Sequence, residues 1–357
     1  MTQIVEEMPS ANRGAMLEKI YLEELVSTDK QRPKISQVQT IATFNWLRVG
    51  DSQVITPGMP PKWTPLDKPH ELQQDSGIFY RDKNDANYPN HPTEPAVEIV
   101  MKMDSRPKAP TDLVACAATL DQLLPFARGD RASFRILVDR IGNTVHFIRR
   151  LKSPRETIPD IKGYGHTFPE SYTTWDDSVQ GSSSHQRVIQ YRFGELTCQL
   201  RFEGDGYLPE KIDGPLSVEK YADTTAAHCC RGDSGGHDGL LNSLAPEPAM
   251  TASGAPLKIS TAGSKVPHDA LFDLKTRSVS RKPYEEAIID QELRRLWIRQ
   301  MPTLILAYHE RGTFNDIKIL DVRDRVAEWE RMNTASIAQF QKLLQRIVSI
   351  CPGPSRW

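Results

Sequence analysis

The sequence has no apolar run of the roughly 18 residues that a membrane-spanning helix needs, and its start, MTQIVEEMPS, lacks both the basic residues and the apolar stretch of a secretory signal. An intracellular protein, nuclear or cytoplasmic, is expected. Cysteine is scarce. The five present (Cys116, Cys198, Cys229, Cys230 and Cys351) are irregularly spaced and form no CxxC pair, which argues against a disulfide-stapled secreted domain and against a zinc ribbon. A surplus of either charge is missing too: 45 Lys and Arg stand against 46 Asp and Glu, for a formal net charge of −1. Any nucleic-acid contact must come from a local basic patch and not from a globally cationic surface.

The 357 residues suffice for one large core. Residues 1–40 read as an N-terminal appendage, with one helical pattern at Met16, Ile20, Leu22 and Leu25, and residues 41–357 as a single domain. Within it, residues 50–95 are rich in proline (ITPGMPPKWTPLDKP, NYPNHPTEP) and predict extended chain anchored by Trp63 and Tyr80. Thr111 or Asp112 can cap a helix carrying Leu113, Cys116, Leu120, Leu123 and Leu124. RASFRILVDRIGNTVHFIRR predicts a hairpin at Gly142-Asn143, and RVIQYRFGELTCQLRFEGDGY another at Gly194-Glu195. Residues 223–266 turn abruptly small and polar, which predicts a disordered insertion. A strand DALFDLKTRS, a helix through Ile288, Leu293, Leu296 and Trp297, a strand TLILAYHE and a last helix with Trp329, Ile337, Phe340, Leu344 and Ile347 complete the pattern. The fold class is α/β (α+β): a mixed β-sheet flanked by helices.

Alternate residues of a strand share a face, so Glu203 and Asp205 in RFEGDG present two carboxylates side by side at a strand's end. Asp273 and Lys275 in LFDLKTR repeat the device with an acid and an ammonium. Brought together, the two strands would hold Mg2+ or Mn2+ between carboxylates and a substrate phosphate, with Lys275 orienting a water or neutralising developing charge. Candidate phosphate-binding residues are Arg149 and Arg150, followed by Lys152 and Arg155, and Arg277, followed by Arg281 and Lys282. Arg277 stands out because it lies two positions beyond Lys275. Tyr164, Phe168 and Trp175 are candidates for stacking on a base, against the commoner role of core residues.

These motifs, in this order, resemble the DXO family of decapping exoribonucleases, which have a PD-(D/E)xK nuclease-like core and act on incomplete RNA 5′ ends. GYGHTFPESY looks like that family's glycine-aromatic-glutamate motif with Glu170 as its acid. RFEGDG matches the E-x-D strand, and FDLKTRS matches the E-x-K strand with Asp273 for glutamate. RRLWIRQ puts Gln300 at the family's glutamine, and LILAYHERGTF resembles the next strand. The resemblance implies Glu170, Glu203, Asp205 and Asp273 as metal ligands, Lys275 and Gln300 as residues placing water and phosphate, an RNA 5′ end as substrate, and an exoribonuclease as possible partner. The family's early arginine has no counterpart in VACAATL, where Ala117 or a neighbour stands in its place. That loss keeps open a catalytically weak RNA-binding or nuclease-stabilising protein beside the hydrolase, and a DNA-directed nuclease beside both.

Two other signals are set aside. TTAAHC (224–229) and GDSGG (232–236) mimic chymotrypsin-like motifs, but in that fold the two stand far apart in sequence, whereas here they adjoin in one polar segment. His228, Cys229, Cys230 and His237 include adjacent cysteines, which rarely share a tetrahedral zinc site.

Overall fold

The computed structural model describes residues 16–26, 32–48, 52–103, 110–130, 133–212 and 256–351. From the N-terminus run β1 (Ile35–Leu47), β2 (Gln53–Gly58), β3 (Lys62–Trp63), α1 (Lys83–Asn87), α2 (Glu94–Lys102), β4 (Leu113–Cys116), α3 (Ala117–Ala127), β5 (Ile136–Ile141), β6 (Thr144–Arg149), α4 (Thr167–Tyr172) and β7 (Thr173–Thr174). β8 (Ser182–Phe193), β9 (Leu196–Gly204), β10 (Gly206–Tyr207), β11 (Lys258–Gly263), β12 (Leu271–Ser278), α5 (Glu285–Arg299), β13 (Thr303–Glu310), β14 (Thr313–Asp321), α6 (Arg323–Met332) and α7 (Thr334–Ile350) follow. The strands form two mixed sheets, ordered β11-β2-β1-β8-β9-β4-β6-β5 and β14-β13-β12-β10-β3-β7. This is the expected α/β class.

Strand β8 is buried on both faces because each meets a different core. Ile189, Tyr191 and Phe193 pack with Leu120 and Leu124 of α3, Leu296 and Trp297 of α5, and Phe340 and Leu344 of α7. Val188, on the opposite face, joins Phe44 and Trp46 of β1 and Ile99 of α2. A third cluster under the small sheet is aromatic: Trp63, Phe168, Tyr172, Phe272 and Phe314. Each fully buried large side chain stabilises by about 1.5–3 kcal/mol before the cost of ordering, so these three clusters fix how the sheets meet.

Both hairpins, the β12–α5–β13 succession and their turns lie where the pattern predicts. Four expectations change. Leu113–Cys116 is a parallel strand between β6 and β9, and the helix begins only at Ala117. The last helix is two, broken at Asn333. The supposed appendage reaches into the large sheet, since β1 starts at Ile35, and the proline-rich segment contributes β2, β3 and α1. The expected insertion ends earlier than 266, because Lys258–Gly263 pairs in parallel with β2; its residues 223–255, with the two protease-like motifs, lie outside the described residues. No helix among the described residues is long and apolar enough to cross a membrane.

Candidate functional site

The two sheets exchange the chain at one residue. β9 belongs to the large sheet, β10 to the small one, and Asp205 is the link between them. Gly206 allows the crossing, for a Cβ there would meet Phe272 Cζ at 2.4 Å and the Pro61 carbonyl at 2.8 Å. Antiparallel pairing of Gly206 with Phe272 and Tyr207 with Leu271 brings Asp205 opposite Asp273, and the Leu274 amide donates to Asp205 Oδ2 at 2.7 Å. The two acidic strands therefore do converge.

They converge on a pair that is already neutralised. Burial, then the charge of Asp273, pushes the Asp205 carboxyl up to about 8, so near neutral pH it carries a proton and hydrogen-bonds Asp273. Burial acts on Asp273 in the same sense, but Arg295 and Arg299, with Lys275, hold its carboxyl well below the ordinary range. The Arg295 and Arg299 guanidinium groups lie 2.8 and 3.4 Å from Asp273 Oδ2, and the Asp273 side chain is 3% exposed. The two arginines stand four apart on α5, hence on one helical face directed at β12.

Glu203 and Asp205 open on the other side into a cleft of about 480 Å³, whose walls include Glu170, His166, His185, Tyr80, Trp175, Arg48, Arg81 and Lys83. Glu170 is supplied by α4, whose first turn is pinned by the Asp75 carboxylate accepting from the His166 and Thr167 amides and the Thr167 hydroxyl. His166 stacks on Phe79 with ring centroids 3.7 Å apart. His185 is buried and, through burial first and Arg187 second, neutral. Asn45 donates to the Met59 carbonyl and the Ser182 hydroxyl, so its Oδ1 is an acceptor and must receive the His185 Nδ1 proton at 2.7 Å. That fixes the tautomer with an unprotonated Nε2.

Lys83 bridges the acids. Its ammonium lies 3.3 Å from Glu203 Oε1. The charge of Glu203, opposed by burial and helped by Asp205 and Glu170, holds the ammonium above its usual value.

The remaining expected site residues do not line the cleft. Lys275 and Arg277 share a face, as alternation requires, but it is the face covered by α5, where they sit 3.9 and 3.8 Å from Glu292. Gln300 ends α5 in the left-handed conformation (φ 54°) and donates to the Trp297 carbonyl; it lines a different pocket with His268 and Met301. Arg149 and Arg150 line a pocket against Asp85 and Pro92. Of the stacking candidates only Trp175 lines the cleft. Phe168 is core, and Tyr164 packs on His309 and Phe314. Sequence reasoning missed Lys83, hidden in a segment read as extended chain, and Arg295 and Arg299, which stood in RRLWIRQ at helical spacing.

A hard divalent ion needs several free oxygen ligands about one point. Most of the donor set is already engaged: Asp273 through Oδ2 by two arginines, Asp205 by Asp273 and a backbone amide, and Glu203 through Oε1 by Lys83, while Glu170 lines the cleft beside them. Among the described residues no group of three or more His, Cys, Asp or Glu side chains is arranged to hold a metal ion. The expected Mg2+ or Mn2+ centre of Glu170, Glu203, Asp205 and Asp273 does not fit this arrangement.

Residues 22–352 match the family described as a domain of unknown function, DUF8563. The chain belongs to this family. No curated protein matches it in sequence. Solved structures match it in shape: S. pombe Rai1 aligns with a TM-score of 0.56 at 11% identity, covering 94% of this chain and 93% of that one. Candida albicans Rai1 in complex with pU5-Mn2+ gives 0.51 at 8% identity, and K. lactis Dxo1 in complex with manganese gives 0.50 at 8%, each covering 91% of this chain and 85% of the other. At such identities the likeness is one of fold, and the fold is DXO-like, as the order of motifs implied.

Proposed function

We propose that the cleft receives the phosphorylated 5′ end of an RNA strand and that the protein acts by holding that end, without a metal-activated water. The observation that carries this reading is the composition of the cleft: Arg48, Arg81 (paired with Glu156 at 2.7 Å) and Lys83 (paired with Glu203 at 3.3 Å) stand with the aromatic rings of Tyr80 and Trp175, while Asp273 is bound by Arg295 and Arg299. A base stacked on an aromatic ring adds roughly 1–3 kcal/mol, and the cations meet one or two phosphates. The class of ligand is supported by the shared fold with a Rai1 bound to pU5. With so few cations the affinity must depend weakly on salt, with a slope of about −1 to −1.5 for two phosphates on a single strand.

Fluorescence anisotropy with a 3′-labelled RNA pentamer tests this in EDTA. The 5′-monophosphorylated strand is expected to bind at least several-fold tighter than its 5′-hydroxyl counterpart, and Trp175→Ala to weaken it about tenfold or more. Equal binding of both strands, unaffected by Trp175→Ala, sinks the reading.

A second reading, metal-dependent hydrolysis of phosphodiester or pyrophosphate bonds at an RNA 5′ end, is favoured by Glu170, Glu203 and Asp205 still sharing the cleft. It requires product release from 5′-triphosphate or unmethylated-cap RNA in manganese, abolished by Glu203→Ala with Asp205→Ala. DNA offered in parallel separates a DNA-directed nuclease.

A further inference from the structure

We infer that Lys83 is a resident cation standing in the acidic cleft in place of a divalent ion, and that the protein as folded therefore excludes such an ion. This deepens the reading of the cleft as a metal-free binding site.

The lysine is placed by a built framework and not by chance on a solvated face. It is the first residue of α1, flanked by Asp82 and Asn84. The Asp82 carboxylate caps that short helix, accepting from the Asn84 and Asp85 amides at 3.0 and 3.3 Å. Arg201 holds Asp82 at 3.2 Å and Asp85 at 3.9 Å, and donates to Gln186 Oε1 at 2.7 Å. Arg201 lies two positions before Glu203 on β9, so both project from one face of the strand. The strand that supplies the acid thus also carries the clamp that fixes the helix bearing its counter-ion. Asn84 completes the framework from beneath, fully buried, accepting from Trp46 Nε1 at 3.3 Å and donating to the Pro92 carbonyl at 2.8 Å.

The Lys83–Glu203 pair is about 40% exposed on each side, so it adds little to fold stability. What it decides is occupancy. A divalent ion entering among Glu170, Glu203 and Asp205 would meet an ammonium tethered in the same space, and two cations a few ångströms apart repel strongly in a partly desolvated cleft.

Electron paramagnetic resonance of the full chain titrated with Mn2+ alone tests this, because bound manganese loses the sharp signal of the free hexaaqua ion. The wild type and Lys83→Arg are expected to leave the signal unchanged into the millimolar range. Lys83→Met, with Lys83→Gln as a second variant should the first not fold, is expected to bind Mn2+ at least tenfold more tightly than wild type. Adding Glu203→Gln is expected to abolish the gain, with thermal melts verifying the fold of each variant. Wild type binding Mn2+ as tightly as Lys83→Met overturns the inference, as does a folded Lys83→Met that binds none. RNA anisotropy in EDTA on the wild type is read separately, so failure of the RNA-end reading leaves a different mark.

Discussion

Replacing Arg295 by methionine tests what holds the junction of the two sheets, the pair with Asp273 together with that to Glu292 at 2.9 Å. Asp273 is almost wholly buried and ionised, with Arg295 at 2.8 Å and Arg299 at 3.4 Å. Removing one partner of a buried ion pair commonly costs about 3–5 kcal/mol, because a desolvated charge is left behind. Here Arg299 and Lys275 still act on Asp273, and Arg295 is itself 21% exposed, which brings the expected loss to about 2–3 kcal/mol. Urea unfolding followed by tryptophan fluorescence measures it. The sign with pH is fixed by the direction of the shift: a carboxyl depressed in the fold contributes stability above its unfolded value of about 3.9, lost as pH falls through the folded one. The difference between wild type and Arg295→Met should therefore be full at pH 7 and shrink on strong acidification. Adding Asp273→Asn removes the stranded charge and should recover at least half the loss, a coupling above about 1 kcal/mol. A single variant within about 0.5 kcal/mol of wild type at pH 7, with a double variant no better than the sum, refutes the argument.

Asp205 should show the opposite pH dependence. Its carboxyl, raised to about 8 by burial and then by Asp273, contributes stability that is complete below about pH 4 and declines as pH rises through 8. Asp205→Asn should flatten that decline between pH 5 and 9; parallel stability curves would contradict it. Gly206→Ala forces a Cβ against the fully buried ring of Phe272 and should cost about 2–3 kcal/mol, with loss of near-ultraviolet dichroism as the readout. Asp75→Ala removes the cap of the turn that carries Glu170 and should lower stability by about 1–2 kcal/mol, seen as a lower melting temperature.

The hairpin of β8 and β9 was legible because β-branched and aromatic residues flank Gly194, which takes the positive φ a tight turn requires. The strand of Leu113–Cys116 was not. Its apolar residues, taken together with Leu120, Leu123 and Leu124, satisfy a helical period, and a short strand buried between two parallel neighbours need not alternate. The meeting of Asp205 with Asp273 followed from strand alternation, but alternation does not say what covers a face. That α5 lies over Asp273, Lys275 and Arg277 is set by Leu296 and Trp297 packing into the main core, a tertiary fact that turns Arg295 and Arg299 inward. Lys83 was hidden for the same reason: a short helix held by Arg201 and Asn84 has little periodicity of its own.

The separate observations join in the charge balance of the junction. Four carboxylates gather around the crossing of the sheets, Glu170, Glu203, Asp205 and Asp273, and one of them holds a proton. The other three face Lys83, Arg295 and Arg299, with Lys275 also acting on Asp273 and Glu292 sharing Arg295 and Lys275. These cations come from the capped start of α1, from β12 and from two successive turns of α5. A divalent ion entering beside Lys83 would bring a second cation close to its ammonium in a partly desolvated site, where such repulsion is costly. A 5′-terminal phosphate brings the opposite sign and would be met by Arg48, by Arg81 in competition with Glu156 and by Lys83 in competition with Glu203, without disturbing the Asp205–Asp273 pair behind them. On the proposed reading Lys83 is the residue at which an anionic end and a metal compete.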